Sequence, residues 1–155
     1  MPIIRLILPY PPSVNHYWLK NRFGGYRIGP HGLEFRRAVM EAVALVEGRF
    51  GDKAQRLALM VNIYQPDRRE RDVGNLDKAL ADALGHAGLY VSDGQIDDSR
   101  YVRKAVSRHA PRVEVIIHCT RCGEIPEELP SGEIIFDLKS LKTKKKSKKS
   151  TFLCK

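Results

Sequence analysis

The residues best placed to do chemistry lie between positions 66 and 98. Pro66-Asp67-Arg68-Arg69-Glu70-Arg71-Asp72-Val73-Gly74-Asn75-Leu76-Asp77-Lys78 leaves a strand, crosses a charged loop and enters a helix. Asn75 and Lys78 stand nearly one helical turn apart and share a face, with Asp72 just ahead of them. A second acidic group, Asp93, Asp97 and Asp98 around Gln95, follows the same helix. If Asp93 folds back beside the helix start, the two groups form a carboxylate cluster ringed by arginines. Such a cluster suits a hard cation, because Mg²⁺ takes oxygen ligands, keeps several waters and needs only one or two protein carboxylates. A metal held in this way activates water and offsets charge on a phosphoryl group. Lys78 would steady that charge, and Arg68, Arg69 and Arg71 would hold a polyanion that acids alone repel. The plain alternative is that Asp72 caps the helix, Lys78 is a solvated helix residue and Asp93-Gly94 is a turn.

The elements that must position these groups read as follows. Ile3 to Leu8 is strand-like and ends at Pro9, Pro11 and Pro12. Residues 9–30 show no period and read as a long loop holding Asn15, Trp18, Lys20, Arg22 and Arg27, an aromatic and basic mix suited to a nucleic-acid backbone. Leu33 to about Glu47 has a helical stripe of Phe35, Val39, Val43 and Val46. Leu57 to Tyr64 is strand-like, with Leu57, Leu59, Val61 and Ile63 on one face. Leu76, Leu80, Ala83, Leu84 and Ala87 give a second helix its apolar face, and Gly88 stops it. Ile96 to Val106 and Arg112 to His118 read as two strands joined by a hairpin-type connection at 108–111. The order implies an α+β, two-layer (α/β) fold, with two main helices against one mixed sheet.

Composition narrows the class. The chain has 155 residues, three cysteines and a formal charge of +9. Eight lysines and no acid fall in 139–155, so much of the excess sits in a tail that is expected to be flexible. The expected organisation is a domain over 1–118 and an extension over 119–155. An odd cysteine count argues against a disulfide framework, and no apolar run reaches bilayer length, which together favour a cytoplasmic protein without a membrane span. His118-Cys119-Thr120-Arg121-Cys122 has CxxC spacing but lacks a second pair, so a zinc finger is not expected.

Several segments in fixed order and spacing carry a resemblance. They are Leu8-Pro9-Tyr10-Pro11-Pro12-Ser13-Val14-Asn15, the 66–72 loop, Asn75-Leu76-Asp77-Lys78-Ala79, Asp82-Ala83-Leu84, and Ala87-Gly88-Leu89-Tyr90-Val91-Ser92-Asp93-Gly94-Gln95-Ile96. Over about residues 3–118 the chain resembles the RusA family of Holliday-junction resolvases of bacteria and their phages. The resemblance implies a homodimeric, Mg²⁺-dependent endonuclease, with Mn²⁺ as a substitute metal, that makes paired nicks in four-way-junction DNA during recombination and repair. By position it implies metal and catalytic roles for Asp72 and Asp93, a cleavage role for Lys78, and DNA contact for Asn75. The N-terminal residues Asn15, Lys20, Arg22 and Arg27 would join Arg68, Arg69 and Arg71 on the DNA. Two positions depart from the family pattern. Gly74 stands where a second aspartate belongs, and Ser92 replaces the first acid of a frequent Asp-Asp pair. Asp97 is the expected substitute ligand and Asp77 a weaker one. A junction-binding protein with impaired cleavage is the competing expectation.

Overall fold

The computed structural model describes residues 3–120. In chain order the elements are β1 (Ile4–Pro9), α1 (Val14–Tyr17), β2 (Trp18–Lys20), β3 (Tyr26–Ile28), α2 (Pro30–Ala44), β4 (Leu57–Tyr64), α3 (Gly74–His86), a 3₁₀ turn (Asp93–Gln95), β5 (Ile96–Arg103) and β6 (Arg112–Cys119). Four strands form a mixed sheet in the order β1-β6-β4-β5. β6 runs antiparallel to both β1 and β4, and β4 runs parallel to β5. The α+β class read from the sequence is the observed one.

Alternation on the strands builds the core. Leu57, Leu59, Val61 and Ile63 of β4, with Leu6, Leu8, Val113 and Val115, form one apolar sheet face. Phe35, Val39 and Val43 of α2 and Leu76, Leu80, Ala83 and Leu84 of α3 pack into the same cluster. These side chains sit on one stripe of each helix because their spacing follows the helical period.

Three sequence expectations need correction. The loop expected over 9–30 contains α1 and a two-stranded hairpin, β2–β3, with Trp18 opposite Ile28 and Lys20 opposite Tyr26. Strands of three residues are too short to show a period. The first long helix begins at Pro30, ahead of the expected Leu33, because proline's fixed φ suits a first helical position where the missing N–H is not needed. The link at 108–111 is not a hairpin. β5 is an edge strand, and the chain passes the end of β4 before β6 pairs with it on the other side. Backbone bonds from Lys104 N–H to Ile63 O (2.9 Å) and from Ser107 N–H to Gln65 O (2.8 Å) hold that passage.

The β4–α3–β5 unit fixes the site. Parallel strands need a crossover, so α3 runs back against the direction of β4. Its start therefore lies near the C-terminal ends of β4 and β5, and its end lies near the start of β5. Gly88, at φ +74°, takes the left-handed turn that releases the chain from α3.

Candidate active site

Asp72 lies just before α3 and is exposed. Its Oδ1 accepts the Gly74 N–H at 3.0 Å, and its carbonyl accepts the Asn75 N–H at 3.3 Å. The carboxylate thus satisfies the N–H of the first helical residue from one position ahead of the N-cap, Val73, which itself makes no side-chain cap. Asn75 and Lys78 are exposed on the same helix.

Asp93 opens the 3₁₀ turn. Ser92 precedes it and caps that turn, its Oγ accepting the Gly94 N–H at 3.3 Å, while Gln95 Oε1 accepts the Ser92 N–H at 2.9 Å. A serine at 92 therefore has a structural job. Asp93 rests against the last turn of α3. A Cβ added at Gly85 would lie 3.4 Å from Asp93 Oδ1 and 3.3 Å from the Tyr90 ring. A groove of about 410 Å³ runs alongside, floored by Leu59 and Ile96 and rimmed by Asp77, Lys78, Asp82 and Asp93.

The rim is held by its neighbours. Tyr90 donates its hydroxyl to Ala81 O at 2.6 Å, and burial together with the Asp93 charge pushes its pKa up. The Tyr101 hydroxyl donates to Asp77, and burial followed by that aspartate pushes Tyr101 up as well. Asp82 accepts from the Tyr17 hydroxyl at 2.8 Å and from Arg36 Nη2 at 2.5 Å, while Arg36 Nε donates to the Tyr17 oxygen at 2.6 Å. Burial pushes Tyr17 up to about 12, so it stays a donor at any working pH. This triad ties α1 and α2 to α3. The sequence reading did not single out Asp82, Tyr17 or Arg36 for any such role. Positions 78, 82 and 85 share a helix face by spacing, and that was the available signal.

The expected convergence of Asp72 and Asp93 does not occur within one chain. Asp72 adjoins Gly74 and Asp93 adjoins Gly85, eleven positions along α3, or about 16 Å at the helix rise. Arg103, at the far end of β5 from Asp93, donates to the carbonyl of Arg71 and marks the same separation. Asp97, the expected substitute ligand, is engaged by an arginine in this structure. It pairs with Arg56 through Nε at 2.8 Å and through Nη2. Asp98 pairs with Arg100 at 3.2 Å. Asp77, the weaker substitute, does line the groove with Asp93, but its Oδ1 accepts the Tyr101 hydroxyl. Among the described residues no three His, Cys, Asp or Glu side chains group as a metal cage. The acids of a single chain do not fit the Mg²⁺ site expected of them.

The arginine loop is also more specific than its composition. Asp67 takes Arg71 in a bidentate pair at 2.5 and 2.8 Å, and its Oδ1 accepts the Arg69 N–H at 3.0 Å. Arg71, then the Arg69 N–H, hold the Asp67 carboxyl well below the usual carboxylate range. Arg71 also lies 5.9 Å from the Tyr10 ring centroid. Arg68 and Arg69 are exposed. Asp67→Asn should release Arg71 to a phosphate. DNA affinity should then rise severalfold, and the slope of log K against log salt should steepen by about 0.9 for one added contact. Binding isotherms over a salt series measure this, and an unchanged slope would mean that Arg71 does not reach the nucleic acid.

The N-terminal group separates into two settings. Asn15 is exposed on α1, while Lys20, Arg22 and Arg27 are exposed on the β2–β3 hairpin. His118 and Cys119 are consecutive on β6 and face opposite sides of the sheet, so they cannot share an ion. Cys122 and the lysine-rich tail lie outside the described residues.

With this geometry in place, known proteins supply the family. Endodeoxyribonuclease RusA matches residues 9–118. The chain belongs to the RusA family of endodeoxyribonucleases. The crossover junction endodeoxyribonuclease of Enterobacteria phage HK97 is 38% identical over 99 residues, covering 64% of this chain and 81% of that one. The corresponding protein of Enterobacteria phage 82 is 36% identical over 114 residues, covering 72% and 91%. That of Escherichia coli K12 is 35% identical over 112 residues, covering 72% and 91%. The matched span takes in β6, α3, the groove and the hairpin alike. Among the described residues no helix is long and apolar enough to cross a membrane.

Proposed function

We propose that this protein is a structure-specific endonuclease that resolves four-way DNA junctions by paired phosphodiester hydrolysis, acting in recombination and repair as a Mg²⁺-dependent homodimer. The observation that carries the reading is the groove beside α3, where Lys78 and Asp93 share a rim in a chain whose residues 9–118 match the RusA family. The lysine ammonium is placed to bind a phosphate oxygen and to offset charge gathering there. The exposed Arg68, Arg69, Lys20, Arg22 and Arg27 supply the backbone contacts that bring a polyanion to an acidic rim. The cytoplasm, where such DNA lies, is the compartment that the reading requires.

The homodimer gives the separated acids a purpose. A two-fold axis crossing α3 near its middle sets the start of one helix beside the end of the other. Asp72 of one copy would then meet the partner's Asp93, and the 16 Å offset along one helix would cancel. Two equivalent cuts need two equivalent sites, which a two-fold dimer provides.

A synthetic four-way junction with labelled strands tests the reading. Nicking in Mg²⁺, absent in EDTA and absent on linear duplex of the same sequence, is the expected result. Binding without nicking in Mg²⁺ or Mn²⁺ would favour the second reading, a junction-binding protein whose cleavage is impaired. Gly74, which offers no carboxylate beside Asp72, is the observation behind that alternative.

A further inference from the structure

The β2–β3 hairpin carries a feature that neither the fold nor the acidic groove uses. Phe23, at its tip, is 89% exposed, and Tyr26 on β3 is 69% exposed. The tip is held rigidly. Asn21 Oδ1 accepts the N–H groups of Phe23 and Gly25, each at 2.9 Å, and the Asn21 N–H donates to Gly25 O at 2.8 Å. Gly24 takes φ +82°, a conformation open to glycine, with nothing within 4 Å of the place a Cβ would occupy. The base of the hairpin is equally fixed. Trp18 packs edge-on against Tyr17 at 5.4 Å between ring centroids, and the Gly29 N–H donates to Tyr17 O at 2.8 Å. Through Tyr17 the hairpin is tied to Asp82 on the groove rim.

A preorganised turn thus holds a phenyl ring out in water, where a polar residue would serve the fold as well. Its surroundings name the partner. Lys20, Arg22 and Arg27 are exposed on the same hairpin. The first acidic residue of the whole chain is Glu34, so nothing within the hairpin opposes a polyanion. An exposed aromatic among cations is what a nucleobase and its flanking phosphates require: the ring stacks and the cations hold the backbone. Continuous duplex offers no free base face, whereas a branch point does.

We infer that the β2–β3 hairpin is a wedge for branched DNA, in which Phe23 stacks on a base exposed at the branch point while Lys20, Arg22 and Arg27 grip the adjoining phosphates. The inference rests on the junction-resolving reading and adds to it the residue that tells a branch from a duplex.

The test compares wild type, Phe23→Ala and Phe23→Trp in binding a four-way junction and a linear duplex of the same sequence at one salt concentration. A 2-aminopurine at the branch point reports stacking. Phe23→Ala should lose about tenfold on the junction and less than about twofold on the duplex, and Phe23→Trp should keep the preference. The 2-aminopurine emission should change on binding wild type and stay flat with Phe23→Ala. A preference that Phe23→Ala leaves intact, with emission unaltered from wild type, would overturn the wedge alone. So would a Phe23→Ala chain whose only change is in its monomer–dimer equilibrium, since that assigns the ring to a second copy. A wild type with no preference for the junction would overturn the functional reading and the wedge together. The side chain is almost wholly exposed, so the variants should fold, and circular dichroism checks that they do.

Discussion

Chains carrying Asp72→Asn, mixed with chains carrying Asp93→Asn, should regain a metal site and junction nicking that neither variant has alone. The reason is geometric. In one chain the two carboxylates sit at opposite ends of α3, beside Gly74 and Gly85. An ion that ligates both would need oxygens within about 4 Å of each other, since Mg²⁺–O distances are about 2 Å. If the site is built between copies, a mixed dimer has one site lacking both acids and one site with both. Random pairing then restores about a quarter of the wild-type sites. If each site is built within a chain, every site in the mixture lacks one acid and nothing is regained. Mn²⁺ titration followed by electron paramagnetic resonance reads the site without relying on turnover, and nicking of a labelled junction reads its competence. A silent mixture, beside a wild type that binds Mn²⁺ and nicks, would remove the shared site while leaving the resolvase reading in place.

How much of this was legible in the sequence depended on the length of each signal. β4 is read at its true limits because large apolar residues recur at every second position, Leu57, Leu59, Val61 and Ile63, and Pro66 follows to stop the run. α3 is read within a residue or two because Gly88 stops it and five apolar positions define its stripe. The β2–β3 hairpin was not legible, since three residues per strand cannot establish a period and its turn is set by a side chain, Asn21. Strand neighbours were not legible either. Nothing local in Arg112–Cys119 says that it pairs with β1 and β4 rather than with β5, which precedes it.

The same distinction holds for the site. Asp72, Lys78 and Asp93 could be picked out by residue type and spacing, but type and spacing say nothing about which end of a helix a later turn returns to. That was decided by the parallel pairing of β4 with β5, which obliges α3 to carry the chain back across the sheet. Asp97 shows the same limit. As a type it is a good ligand, yet Arg56, forty-one positions earlier, takes both of its oxygens. The Tyr17–Arg36–Asp82 triad joins three elements distant in sequence and left no local pattern to read.

Gly74→Asp should tighten Mn²⁺ binding by about tenfold or more and raise junction nicking with it. The backbone accepts the change. Gly74 is not in the left-handed region, and the nearest atoms to a Cβ there are those of the Asp72 carboxylate, Oδ1 at 3.4 Å, an ordinary contact. The substitution also replaces glycine at the first turn of a helix with a residue of better propensity, and its charge favours the helix N-terminus by about 0.3–1 kcal/mol. Against this stands repulsion from Asp72, which a cation relieves and which is felt in its absence. The balance gives the variant a specific signature: a stability gain on adding Mn²⁺ that exceeds the wild type's, because ligand binding to the folded state adds to folding free energy. Thermal melts with and without Mn²⁺, alongside the titration, measure it. If affinity, melting shift and nicking all stay at wild-type values, a carboxylate at position 74 does not reach the metal, and Gly74 is no cause of impaired cleavage. If they rise together, the wild-type site lacks one ligand, and its turnover is limited by a residue that the fold itself would tolerate.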